Sequence, residues 1–121
     1  SLEARLAAVA GLNVERALVL VGGRHGLLER VLRRFAQTMR GGIHALSPQV
    51  QADRLHVLAE SCHSLRGACA TIGASRLAAD TAALEDALKH TIDLAVLAVH
   101  ARKVDEAVSQ LVAELDEAVG S

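Results

Sequence analysis

Phe35 is the only aromatic residue among 121, so any core this chain forms must be built from aliphatic side chains. Those are almost all Leu, Val and Ala. Ala and Leu head the helix-propensity ranking, whereas Tyr and Trp, which favour strands, are absent and Ile is scarce. The expectation is an all-α fold. Hydrophobic residues make up 51% of the chain, which excludes a disordered tail. A chain of this length holds one core and not two, so residues 1–121 are expected to form a single domain.

Formal net charge is −1, so no global field draws the chain to nucleic acid or to an anionic membrane. Stacking recognition of single strands also lacks its aromatic platforms. The charge is uneven: residues 1–45 hold seven Arg against three acids, and residues 46–121 hold six bases against eleven acids. Cys62 and Cys69 lie seven residues apart, which on a helix is about 10 Å and beyond the reach of a disulfide. Both read as buried thiols in a reducing compartment, and the expected location is cytoplasmic. There is no run of 18 apolar residues and no signal-peptide layout, so direct membrane contact is not expected. The chain begins with Ser and not Met, which suggests a piece excised from a larger protein.

Hydrophobic spacing divides the chain into helices. Asn13 is placed to cap a short helix over about Val14–Val21, closed by Gly22-Gly23. Leu27, Leu28, Val31, Leu32, Phe35 and Met39 describe an amphipathic helix from about Arg24 to Gly41. Leu46-Ser47-Pro48 marks a break, with Ser47 as cap and Pro48 at the first helical position. A third long pattern starts at Pro48 or Asp53 and ends at Ile72, with Gly73 as a left-handed cap. The next helix starts near Ser75 and carries Leu77, Thr81, Leu84 and Leu88 inward. Thr91 or Asp93 caps the last, whose inward stripe is Leu97, Ala101, Val104, Val108, Leu111 and Leu115. Short connections make neighbours antiparallel. The expected architecture is an antiparallel up-down four-helix bundle with a short N-terminal cap helix.

On a helical projection of about 100° per residue, Val57, Leu58, Ser61, Cys62, Leu65, Ala68, Cys69 and Ile72 form the core stripe of the third long helix. His63 lies opposite that stripe, among His56, Ala59, Glu60, Arg66, Gly67 and Ala70. A mid-helix glycine costs about 1 kcal/mol relative to Ala. Gly67 stands four residues after His63, where it removes the side chain that would crowd the ring. Ala59 and Ala70 keep the surroundings low. Arg66, three residues after His63, can reach a phosphoryl group on the ring with charge-assisted hydrogen bonds. Taken alone, an exposed helix histidine is a solvated residue and Gly67 can serve close helix packing; their joint placement with Arg66 and Gly73 is what points to chemistry.

His63, Leu65, Arg66, Gly67 and Gly73 stand in the register of the motif His-x-Leu-Lys-Gly, then five residues, then Gly, and the chain resembles the histidine-containing phosphotransfer (HPt) domains. The stretches Gly11–Ala17, Gly22-Gly23, Leu32-x-x-Phe35 and Gly73–Glu85 resemble the family as well, so the likeness covers about residues 11–118. The opening stretch resembles HPt domains at the C-terminus of hybrid sensor kinases. Two positions depart from the pattern: Arg66 replaces the usual Lys, and Cys62 stands where Ala is frequent. The guanidinium keeps the charge but exchanges a compact ammonium for a planar fork.

The resemblance implies a carrier step in a phosphorelay. A neutral His63 attacks the aspartyl phosphate of a receiver domain, becomes phosphohistidine and passes the group to a second receiver, that of a response regulator. Imidazole suits this, because its neutral nucleophilic form is well populated near neutral pH. The attachment atom is expected to be Nε2, since Nδ1 lies closer to the backbone. Arg66 and Gly67 are expected to support the phosphoryl group. His56, Ala59, Glu60, Ser64 and Ala70 are expected to form the face on which receivers dock. No cofactor is expected on this chain, with Mg²⁺ belonging to the receiver, and the isolated domain is expected to be a monomer. No ATP-binding parts are visible, so the domain does not phosphorylate itself.

Rival readings are weaker. His56 and His63 share a face but form no tight ligand pair, so no metal site is expected. Glu85-Asp86 and Asp105-Glu106 read as solvated outer-face charge rather than paired catalytic carboxylates. Arg30, Arg33, Arg34 and Arg40 read as helix surface, with electrostatic steering of an acidic receiver as the functional alternative. His25, His44, His90 and His100 read as solvated. The main competing function is a helical protein-interaction module of the same shape without phosphotransfer.

Overall fold

A computed structural model describes residues 1–120, and among these the chain is all-helical, with one isolated β-bridge between Leu12 and Ala74. Six α-helices run in the order α1 (Leu2–Ala7), α2 (Val14–Leu20), α3 (His25–Met39), α4 (Leu55–Ile72), α5 (Ser75–His90) and α6 (Leu94–Val119). The 3₁₀ turns Arg40–Gly42 and Ser47–Gln49 lie between α3 and α4. No described helix is long and apolar enough to cross a membrane.

The long helices sit where the apolar spacing puts them. Leu28, Leu32 and Phe35 are buried on α3; Leu58, Cys62, Leu65, Cys69 and Ile72 on α4; Leu77, Thr81 and Leu84 on α5; Leu97, Ala101, Val104, Leu111 and Leu115 on α6. Thr81 is the buried polar residue of this core, and its hydroxyl donates to the Leu77 carbonyl one turn back at 2.8 Å. α4 packs along α5, α5 along α6, and α6 along α3. Asp93 caps α6, accepting from Ala95 N at 2.9 Å and Val96 N at 3.4 Å. At its other end, Arg5 Nε donates to the Ala118 carbonyl at 2.7 Å, Arg33 donates to the Val119 carbonyl, and Arg40 pairs with Asp116. Arg33 and Arg40 are therefore more than helix surface.

Other sequence expectations about the fold need correction as well. α1 precedes the short helix expected at residue 14. It is only six residues long, too short to carry a periodic signal, and exists because Leu6 is fully buried and Ser1 caps it. Second, α4 begins at Leu55 rather than Pro48 or Asp53, and Ser47 caps no α-helix. Third, Asp105 is not solvated charge: it accepts from Leu46 N at 2.7 Å, from Ser47 N at 3.0 Å and from the Ser47 hydroxyl. Leu46 is 2% exposed, so its amide is cut off from water and needs this acceptor.

Gly73 ends α4 in the left-handed region, with φ of 70°. Its carbonyl accepts from Asn13 N at 2.9 Å, fastening α2 across the α4–α5 corner. Asn13 also caps α2, its side chain accepting from Arg16 N at 3.0 Å.

Candidate functional site

α4 presents two chemically distinct sides. Leu58, Cys62, Leu65, Cys69 and Ile72 face the core, Ser61 and Ala68 are half-buried beside them, and the opposite side is left to solvent. His63 is exposed, and so are His56, Ala59, Glu60, Ser64, Arg66, Gly67 and Ala70. The structure thus brings the expected site residues onto one open side of a single helix. Leu65, 7% exposed, and Gly73 lie beneath and beyond it as structural members.

Gly67 has open space around it: a Cβ built there meets no heavy atom within 4 Å. Close helix packing is therefore not its role. Gly73 is the reverse case, since a Cβ there would stand 2.9 Å from the Asn13 carbonyl oxygen and 3.2 Å from the Ala17 Cβ.

The two flanks of His63 differ. On one, Glu60 and Ser64 border a cleft of about 610 Å³ between α4, the end of α3, the 42–49 segment and α6, floored by Leu46, Val57, Leu65 and Val108. On the other, Arg66 reaches α5, where its Nη1 donates to Glu85 Oε1 at 3.1 Å. The Arg66 side chain is 51% exposed and that of Glu85 only 20%. Glu85, expected to be solvated, is thus a member of the site. The signal was present in the sequence: folding α4 and α5 back on each other about Gly73-Ala74 sets position 85 opposite position 62, one turn from Arg66.

The thiols are inert. Cys62 and Cys69 are both buried and free. Burial pushes the Cys62 thiol up to about 12, with the Glu85 carboxylate adding to the effect, and the Cys69 thiol up to about 11. Neither is a nucleophile near neutral pH. Among the described residues no group of three or more His, Cys, Asp or Glu side chains is arranged to hold a metal ion. His25 and His90 are not simply solvated: His25 Nε2 lies 2.6 Å from Glu3 Oε1, tying α1 to α3, and His90 Nδ1 donates to the Asp86 carbonyl at 2.8 Å.

No curated protein and no solved structure matches the chain. A family model described as the Hpt domain matches residues 30–119, from the middle of α3 to the end of α6. That match covers most of the sequence and contains the whole of α4 with its exposed His63, and the chain belongs to the Hpt domain family.

Proposed function

We propose that this domain carries a phosphoryl group on His63, accepting it from an aspartyl phosphate of one receiver domain and delivering it to another, that of a response regulator. Hpt domains are phosphotransfer carriers of phosphorelays and interact with receiver domains, which gives the general role. In the transfer, the Nε2–P bond forms as the P–O bond to the donor aspartate breaks, the aspartate leaves as a carboxylate, and the ring gives up its Nδ1 proton to water. Return of the group to a receiver reverses these changes. Arg66 and Gly67 support the phosphoryl group, the first by charge and the second by leaving room. His56, Ala59, Glu60, Ser64 and Ala70 form the docking face. Mg²⁺ belongs to the receiver and not to this domain.

The observation that carries the reading is the open strip around His63: a solvent-facing ring beside a helical glycine whose missing side chain would touch nothing. Nothing in the packing calls for glycine there, whereas a bulky partner approaching the ring does. The antiparallel up-down arrangement of α3 to α6, a monomeric state and a place in the cytoplasm complete the proposal. The helix arrangement is supported by the packing of α4 on α5, α5 on α6 and α6 on α3, and by the short α4–α5 and α5–α6 connections.

The test is to incubate the domain with a phosphorylated receiver and look for label that is lost in acid and stable in base. His63→Gln should take up none. Label that persists in that variant defeats the assignment.

A further inference from the structure

The pair formed by Arg66 and Glu85 extends the proposed function, on which this inference rests. A phosphoryl group on His63 brings close to two negative charges onto a surface that already carries Glu60 on one flank and Glu85 on the other. Arg66, one turn from the ring, is the cation placed to offset them. In the unphosphorylated protein that cation is already engaged, with Nη1 3.1 Å from Glu85 Oε1. Glu85 is the anchored member, 20% exposed on the face of α5 turned to α4, whereas half of the Arg66 side chain remains in water and is free to swing. Burial is the main reason the Cys62 thiol is raised, and the same carboxylate, facing α4, adds to it.

We infer that Glu85 is a positioning residue: it holds the Arg66 guanidinium against α5, so that a phosphoryl group on His63 must compete with the Glu85 carboxylate for that cation. The contest leaves the phosphohistidine less stabilised than an unpaired arginine would make it, which suits a group meant to be passed on. Only an ion pair is exchanged, and the N–P and P–O bond changes of the transfer stay as written above. The exchange is easy, because exposed ion pairs are weak. A guanidinium suits it better than an ammonium, since its fork presents several N–H donors in one plane and can retain one carboxylate contact while another edge meets phosphate.

The experiment equilibrates label between one phosphorylated receiver and four proteins: the unaltered domain, Glu85→Gln, Arg66→Gln and the double variant. Circular dichroism confirms that each is folded, and Gln keeps the shape of Glu at the mostly covered α5 position. Glu85→Gln should move the partition toward the domain by about two- to fivefold, the range an exposed ion pair commands. Arg66→Gln should move it the other way. In the Arg66→Gln background, Glu85→Gln should have no further effect. An unchanged partition in Glu85→Gln overturns the inference, and so does an equal shift in both backgrounds, which would make Glu85 a simple repulsive charge. Both results leave the carrier role standing. An unaltered domain that takes no label, or label that survives His63→Gln, overturns the carrier role itself and this inference with it.

Discussion

Adding one methyl group has opposite consequences at the two glycines of α4's motif. At Gly67 it meets no heavy atom and the backbone is helical, so the only change in the folded state is the propensity gained in replacing Gly by Ala. Gly67→Ala should therefore raise stability by about 0.5–1 kcal/mol in urea denaturation while slowing phosphoryl acceptance. Gly67→Leu should keep the helical signal and slow acceptance far more. A Gly67→Ala protein that is less stable means the glycine serves packing after all. At Gly73, φ is 70° and the new Cβ would stand 2.9 Å from the Asn13 carbonyl oxygen. Gly73→Ala should cost about 1–3 kcal/mol by the same measurement, because both the left-handed backbone and the seat of α2 are disturbed. The sequence separated these roles only in part. Periodicity put His63 outward and Gly73 at a helix end, but whether Gly67 faced open space or a packed helix depended on neighbours that periodicity does not name. Glu85 was missed for the same reason: its partner lies on another helix.

Elements whose ends are set by local chemistry were legible, and elements held by distant residues were not. α4 stops at a glycine and α6 starts at Asp93, both visible in the chain, and the buried stripes of α3 to α6 follow their spacing. By contrast, the stretch from Leu46 to Arg54 looked like a helix start because Ser-Pro resembles one. It instead holds the short 3₁₀ turn Ser47–Gln49, and the amides of Leu46 and Ser47 are satisfied by Asp105 on α6. Asp105→Ala removes the acceptor of two backbone amides and one hydroxyl at once. The Leu46 amide then has no partner while its side chain stays buried, at a cost of about 1–3 kcal/mol. Thermal unfolding monitored at 222 nm should show the loss, and faster hydrogen exchange should be concentrated in residues 45–50. Uniform acceleration along the whole chain instead would mean that Asp105 supports the core and not this segment.

At the scale of the molecule, the uneven charge becomes a means of closure. The basic N-terminal part supplies Arg5 from α1, Arg33 from α3 and Arg40 just beyond it, and all three meet the last turns of α6. Cations belong there, because the final carbonyls of a helix lack intrahelical partners and carry its negative end. Arg40 and Asp116 form the charged part of this closure, with Arg40 Nη2 donating to Asp116 Oδ1 at 2.9 Å. The hydrogen bond from Arg40 is the main reason the Asp116 carboxyl is held below the usual carboxylate range, and it outweighs the small opposing effect of burial. A carboxyl depressed on folding binds fewer protons in the folded state than in the unfolded one, so its contribution is present above the ordinary carboxylate range. That contribution is lost as pH falls through the lowered value. Asp116→Asn should therefore lower the denaturation midpoint at pH 7 by a small amount, as expected for a pair with 42% and 24% of its side chains exposed. The gap between the two proteins should close as the pH is taken down through the lowered value of the Asp116 carboxyl, and high salt should narrow it at neutral pH. A gap of constant size from pH 7 to the acid limit would show that Asp116 acts through packing alone, and that the opposite charges of the two halves do not help to close the fold.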